Sequence, residues 1–493
     1  MIQTPVIQWS SIAPGIVLLG LACVLLLLSS FVSGAVARVV SGTISMIGFV
    51  ASGLIAWWLW RHHADWLVMS GQLRVDRFAD LVTILVSAAG LATVAISWGT
   101  HRLDERTVEF HALLLTAVAG MSLLAASNSL LVLFVALELF SISLYVLCAL
   151  DVWSEASLES GLKYMVMGSV GSAFLLFGSG LVYASTQALR FDKIAAAIQS
   201  NNLGGQAILL FGIAMILGGL AFKASAAPFH QWTPDVYEGA PTGVTAFMAT
   251  ATNVVALCVL MRILTTAFAP AGDVWQGAVA AISIASMAVG NIAALVQTNV
   301  KRMLAYSSIG HAGYLLIPVA ADTQLAGRAL LYYLTVYVAM TLAAFAVLAV
   351  RERELERPVD LKDITGLGYA RPFLGAVFAF SLLSLASFPP TGGFLAKLYL
   401  FSSAVDAGKT YLAVVGVIAT VVSLGYYLRF TLALYARPEG GVVVPAAIRR
   451  GVTSGTVFAT ATATVAAGVV IWLGVAPAPM LDWARAAAST LPL

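Results

Sequence analysis

Long apolar runs return along this chain about fourteen times, and nothing else constrains its fold as strongly. They lie near 12–31, 40–60, 78–98, 108–127, 129–150, 158–184, 206–227, 242–268, 274–297, 300–321, 326–350, 372–404 (interrupted), 410–436 and 452–475. A hydrocarbon core about 30 Å thick needs about 20 apolar residues to cross as a helix. Each run has that length, and the period-2 alternation of a β-barrel is absent. The expected fold is therefore an all-α polytopic membrane protein of about fourteen helices. An even number puts both termini on one side. The first run lacks a basic leader and a clear small-residue cleavage site, so it reads as a retained first helix.

Composition agrees. Of 493 residues, 60% are hydrophobic and only 10% charged, against about 25% charged in a soluble domain. The net charge of +3 gives no footprint for nucleic acid. Cys23, Cys148 and Cys258 are scattered through apolar runs at no metal or disulfide spacing, and read as small buried apolar residues. The chain carries no phosphate-binding loop, dinucleotide fingerprint, haem motif or iron–sulfur cysteine run.

Basic residues in loops set orientation. With the N-terminus outside, the inside loops hold thirteen Lys and Arg, among them Arg102, Arg351, Arg353, Arg357, Arg449 and Arg450, against eight outside. Both termini are thus expected outside. The charged stretch "RERELERPVDLKD" (351–363) reads as a solvated connector, with contact to a partner as the alternative.

Two runs are broken by proline. One breaks at Pro228, the other at Pro389-Pro390 followed by Gly392-Gly393. Proline removes a helix hydrogen bond and clashes with the preceding turn. Such breaks persist in a membrane only where protein or water satisfies the freed backbone. Each broken run carries a lysine, Lys223 and Lys397. The two runs are five helices apart and so point in opposite directions. Two inverted five-helix repeats would give this pattern, at 108–268 and 274–436, flanked by an N-terminal three-helix segment (1–107) and a C-terminal helix and tail (437–493). Transporters place their sites at such breaks.

Ionisable residues inside spans are functional candidates by default. Glu138 sits mid-span in "LLVLFVALELFSISLYVL", with Ser141 and Tyr145 on its face. Lys163 begins the next span, and Glu159, one turn earlier, is an alternative partner that would make it structural. Lys223 and Lys397 neighbour the breaks and are candidate proton carriers; the competing reading is snorkelling to the interface. His230 and His311 are placed either for proton relay or as hydrogen-bonded structural residues. Asp235 and Glu238, in the polar loop after the seventh span, read as structural, and Lys301-Arg302 as a cytoplasmic anchor. One carboxylate, three buried lysines and two histidines on several helices suit a proton path.

Five stretches resemble one family: "ALELFSISLYVL", "LKYMVMGSVGSAFLLFG", "FKASAAPFHQWTPDVYEGAPTGVTAF", "KRMLAYSSIGHAGYLL" and "FPPTGGFLAKLYLF". It is the antiporter-like membrane subunit N of respiratory complex I, the proton-translocating NADH:quinone oxidoreductase. The resemblance runs from about 75 to 435, and "PFHQWTPDVYEGAPT" is its most specific part. It implies fourteen helices, two inverted repeats and one proton channel, with Glu138, Lys163, Lys223, His230 and Lys397 at the family's functional positions. It also implies no cofactor in this chain, with FMN, iron–sulfur clusters and quinone in other subunits. Implied partners are the antiporter-like subunit M, small subunits such as K, and membrane lipids. The implied setting is a bacterial inner membrane, and nineteen Arg to seven Lys also lean to a bacterial rather than an organellar gene; the loop charges then put both termini on the periplasmic side. One position departs from the pattern: Asn253 stands where the family usually has a helix-8 lysine. Two alternative functions follow from these features, a subunit of a cation/proton antiporter and a non-conducting scaffold.

Overall fold

The computed structural model describes residues 8–62, 65–100, 106–437 and 454–493; Arg102, Arg449 and Arg450 lie outside them. The order is α1 (Trp9–Leu28), α2 (Gly34–His62), β1 (Asp65–Val68), β2 (Leu73–Asp76), α3 (Arg77–Ser97), α4 (Thr107–Ala125), α5 (Leu130–Cys148), α6 (Glu155–Thr186), α7 (Phe191–Ser200), α8 (Ala207–Lys223), α9 (Trp232–Gly239), α10 (Thr242–Phe247), α11 (Asn253–Thr266), α12 (Gly272–Leu295), α13 (Val300–Ala321), α14 (Gln324–Leu355), α15 (Leu361–Ile364), α16 (Leu367–Ala370), α17 (Pro372–Leu385), α18 (Gly392–Asp406), α19 (Thr410–Tyr435), α20 (Ser454–Val475) and α21 (Ala478–Ala488). Among the described residues twelve helices are long and apolar enough to cross a membrane, α10 and α11 counting as one. The two broken runs are each a pair of shorter helices, α8 with α9 and α17 with α18. The protein is a multi-pass membrane protein.

The helices start where short polar side chains can hold free N–H groups. Asp76, Ser129, Ser154, Asn299 and Thr323 each accept from a backbone N–H in the first turn of α3, α5, α6, α13 and α14. The spans sort by burial. Thr242–Thr266, Val300–Ala321 and Gln324–Leu355 are almost wholly inside, whereas α1, α19 and α20 leave broad apolar faces outward. Tight contact between α12 and α13 rests on glycine. A Cβ on Gly290 would run into the backbone N of Gly310, so the two backbones meet directly, as small residues allow in membrane bundles.

Two local patterns recur. Leu130 N–H bonds Leu189 O and Phe191 N–H bonds Asn128 O, clamping the start of α5 to the chain after α6. The same pair of bonds returns at the start of α13, where Val300 N–H bonds Val359 O and Leu361 N–H bonds Thr298 O. The breaks match as well. Ser225 and Ser387 have φ of 58° and 61°, and each ends its helix in a left-handed residue. Ala226 N–H reaches back to Ala221 O and Ser225 N–H to Phe222 O; Phe388 reaches Leu383 O and Ser387 reaches Ser384 O. This is the doubly bonded Schellman stop, and both breaks are built on it.

Several features differ from the sequence reading. The β1–β2 hairpin and the short helices α7 and α21 lack long apolar runs, so span counting passes over them. The 351–363 stretch is tied down. Arg353 donates to Ile96 O and, at 3.0 Å, to Thr100 Oγ1, and Arg351 donates to Asp363 O at 2.9 Å. Cys148 and Cys258 are buried, but Cys23 is exposed on α1. Arg262 and Asp76, both fully buried, pair at 2.6 Å and join α11 to the cap of α3.

Gly290→Ala is expected to destabilise the protein by about 1–3 kcal/mol, because the added methyl meets backbone that cannot rotate away. The thermal unfolding midpoint of the detergent-solubilised protein, compared with Gly277→Ala at an open position of the same helix, checks it.

Candidate functional site: a line of buried polar groups

The first break makes a pocket for its lysine. Lys223 is the last residue of α8 and only 2% exposed. Its ammonium donates to Tyr145 Oη at 3.2 Å and lies 5.2–5.7 Å from the ring centroids of Tyr145, Tyr164, Phe140 and Phe222. No carboxylate touches it among the described residues. Trp232 stacks on Tyr164 at 4.5 Å and donates its indole N–H to Phe222 O at 3.2 Å. Ala227 N–H donates to Ser286 Oγ at 2.8 Å. Freed backbone groups at the break thus find partners inside the protein. His230 follows, half-buried at the turn before α9.

Glu138, on α5, accepts from Ser172 Oγ on α6. Of its helix neighbours, Ser141 turns back to Leu137 O at 2.5 Å, and Tyr145 reaches Lys223. No bond joins Glu138 to Lys163 among the described residues. Lys163 is not buried as expected: its side chain is 42% exposed and is drawn outward by Glu159 at 2.7 Å and Asp235 at 2.8 Å. Asp235 also takes Arg302 at 2.8 Å, and Arg302 reaches Glu238 at 2.9 Å. Asp235 and Glu238 lie on a helix, α9, rather than in a loop, so both face α13. The Lys301-Arg302 pair is no free anchor. Lys301 is 5% exposed and donates to Ala240 O at 3.0 Å.

Asn253 is fully buried and follows a π turn, Met248–Thr252. Its amide N–H₂ donates to Ala249 O at 3.1 Å, Ser308 Oγ at 2.9 Å and Tyr337 Oη at 3.4 Å. Its amide oxygen is buried with no hydrogen-bond partner among the described residues. One turn along α13, His311 bonds Tyr333 Oη through Nδ1 at 2.6 Å and Tyr427 Oη through Nε2 at 3.1 Å. Ser307 also bonds Tyr427.

Beyond the second break, Lys397 is 2% exposed in α18. It donates to Thr420 Oγ1 at 3.2 Å and lies 4.0 Å from the Tyr314 ring centroid. Tyr314 Oη accepts from Asn291 Nδ2 at 3.2 Å, and Asn291 Oδ1 accepts from Tyr426 Oη at 3.1 Å. Tyr426 is next in sequence to Tyr427, the partner of His311, and the Tyr314 ring itself lies 5.8 Å from that of His311. Asn253, His311 and Lys397 thus share one buried polar interior through Tyr337 and Tyr314, Lys223 occupies its own buried aromatic pocket at the first break, and Lys163 stands at a part-exposed charged edge. Tyr314, Tyr333, Tyr337, Tyr426, Tyr427, Asn291 and Thr420 were not singled out from sequence. Their only signals were the mid-span pairs Tyr332-Tyr333 and Tyr426-Tyr427. The Asp76–Arg262 pair had no local signal, because its partners are 186 residues apart.

Residues 127–423 match the family model described as NADH:quinone oxidoreductase/Mrp antiporter, TM. NADH-quinone oxidoreductase subunit N 1 of Rhizobium meliloti is 42% identical over 76% of this chain and 80% of its own length. The chain belongs to the N-subunit family of NADH-quinone oxidoreductases. A second N subunit, from Roseiflexus castenholzii, is 37% identical over 98% of this chain and 96% of its own. A chain of Thermus thermophilus respiratory complex I with bound aureothin superposes with a TM-score of 0.80 at 33% identity, covering 95% and 98% of the two chains. A chain of the Mrp complex of a Dietzia species superposes with a TM-score of 0.85 at 20% identity, covering 99% and 98%; it shares the fold. Within this N-subunit frame, no group of three His, Cys, Asp or Glu side chains stands at metal-binding distance among the described residues.

Asp235→Asn removes two part-exposed ion pairs, each worth about 0–1 kcal/mol. The expected result is a thermal midpoint close to wild type. A large fall would show that the pairs act as one buried network.

Proposed function

We propose that this chain is a proton-translocating membrane-arm subunit of a bacterial respiratory complex I, coupling NADH:quinone electron transfer to proton movement along an interior line from Lys223 to Lys397. The observation that carries it is the setting of Lys223 and Lys397. Both are buried beside a helix break and, among the described residues, contact only hydroxyl oxygens and aromatic faces. An ammonium without a contacting carboxylate is costly to keep charged away from water. A lysine so placed is suited to loading and unloading a proton. Glu138 and Lys163 supply the charges that bias Lys223, with Asp235 and Glu159 holding Lys163 in the present arrangement. His230 lies at the entry to the break, and His311 stands beside Tyr314, the ring on which Lys397 rests, where it would relay protons between the two lysines.

Asn253 cannot titrate, but its unbonded amide oxygen is a place for water. Water there, with Ser308 and Tyr337, would carry the line past the missing lysine. Redox chemistry falls to other subunits, which would hold FMN, iron–sulfur clusters and quinone. The antiporter-like subunit M and small subunits such as K are the expected neighbours, in the inner membrane with both termini periplasmic. The returning clamp and the matched helix stops support two inverted repeats, 108–268 and 274–436, between an N-terminal segment (1–107) and a C-terminal helix and tail (437–493). They also support counting each broken pair as one crossing, fourteen in all.

Lys223→Ala and Glu138→Ala are each expected to leave the complex assembled and to lower NADH-driven proton pumping by about tenfold or more, the effect of about 1.4 kcal/mol on a barrier. Intact assembly with normal pumping sinks the reading and favours a scaffold. Sodium uptake in place of proton release favours the antiporter alternative. Asn253→Leu, which puts apolar atoms where water is invoked, is expected to lower protons moved per NADH; Asn253→Lys is expected to retain them.

A further inference from the structure

The end of the bundle beside the β1–β2 hairpin contains a cavity that the interior line does not use. It lies between α1, α3 and α4, closed by Leu59 of α2 and by Leu73 and Val75 of β2. It holds about 40 Å³ of room for water centres, and one water needs about 10–15 Å³. Four polar side chains face it: Ser11, Asp80, Thr83 and Ser122. Thr83 and Ser122 bond each other at 3.0 Å. Ser11 and Asp80 are each only 4% exposed. Ser11 Oγ has no hydrogen-bond partner, and no hydrogen bond or ion pair holds the Asp80 carboxyl among the described residues. Buried polar groups left this way mark places that ordered water fills.

The charges around Asp80 are unequal. Asp76, one turn before it on α3, is buried and pairs with Arg262. Arg74 of β2 reaches Asp76 at 3.6 Å but is held by Asp65 at 2.8 Å. Arg77 lies over the Trp60 ring, and Arg61 over Trp57, both on α2. His62 ends α2, α1 brings no charge, and Glu109 and His111 of α4 stand at its other end. Two buried carboxyls therefore depend on one guanidinium, that of Arg262, which bonds Asp76 through Nη2 and makes no bond to Asp80. A carboxyl in this position is neutralised most simply by a proton delivered through the cavity water.

We propose that Asp80 is a second proton-exchange site, fed by water in this cavity and separate from the Lys223–Lys397 line. Taking a proton from hydronium leaves water and a neutral carboxyl. Losing it sets a second negative charge beside Arg262, on the helix that begins with Asn253. Asp80 thereby adjusts the electrostatics of α11 from the hairpin end.

Dicyclohexylcarbodiimide, which reacts with protonated carboxyls in apolar surroundings, tests this in the assembled wild-type complex in native membranes. Peptide mass spectrometry is expected to find the adduct on Asp80, with yield rising as pH falls. Asp80→Asn is expected to lose it, and Asp80→Glu to keep it. Ser11→Leu, which fills the cavity, is expected to lose the adduct while the complex still assembles and pumps. No adduct at any pH, or an adduct that persists in Ser11→Leu, overturns the proposal. The wild-type and Ser11→Leu arms decide it even where Asp80→Asn fails to assemble. The readout does not depend on pumping, so its failure is distinct from failure of the interior line.

Discussion

Every backbone N–H and C=O inside a membrane must find a partner within the protein, and the rest of this structure follows from how two helix breaks meet that demand. At each break a serine with positive φ turns the chain, and two N–H groups reach back into the helix just ended. Side chains supply what the backbone cannot. Trp232 takes the Phe222 carbonyl, Ser286 accepts from Ala227 N–H, and Ser384 Oγ accepts from Gly393 N–H at 3.3 Å. A lysine at the end of the helix before the first break, and another inside the helix after the second, then lie beside polar backbone rather than in an unbroken apolar helix.

The interior is built from groups that can both give and accept. Tyrosine, serine and threonine hydroxyls can reverse the direction of a hydrogen bond, and histidine can do so by exchanging tautomers. A carboxylate in contact with Lys223 or Lys397 would hold each in one charge state. Hydroxyls and aromatic faces hold the ammonium without fixing it. The formal ion pairs collect instead at the edge, where Lys163, Asp235, Arg302 and Glu238 are part-exposed.

Much of this was legible in the chain. Apolar run length placed the spans to within a few residues, because one turn of helix in lipid has few alternatives. Proline and paired glycine placed both breaks, and intramembrane charge picked out Lys223 and Lys397. What remained hidden was partnership. Nothing local told that Lys163 would meet Asp235, 72 residues away, rather than Glu138. Tyrosines within apolar runs look like packing until a second helix brings His311 to them. The hairpin and its cavity escaped notice for a related reason: Asp76 and Asp80 sit at a helix start, where acidic residues are ordinary.

The matched breaks carry one more consequence. With Ser225 laid on Ser387, Lys223 falls on Leu385, and Lys397 falls on Asp235. The two breaks share a backbone plan but not a charge plan. The cation precedes the stop at one and follows it at the other. Matched stops with unmatched charges have a polarity that their backbone lacks: the surroundings met on the two sides of the pair are chemically distinct.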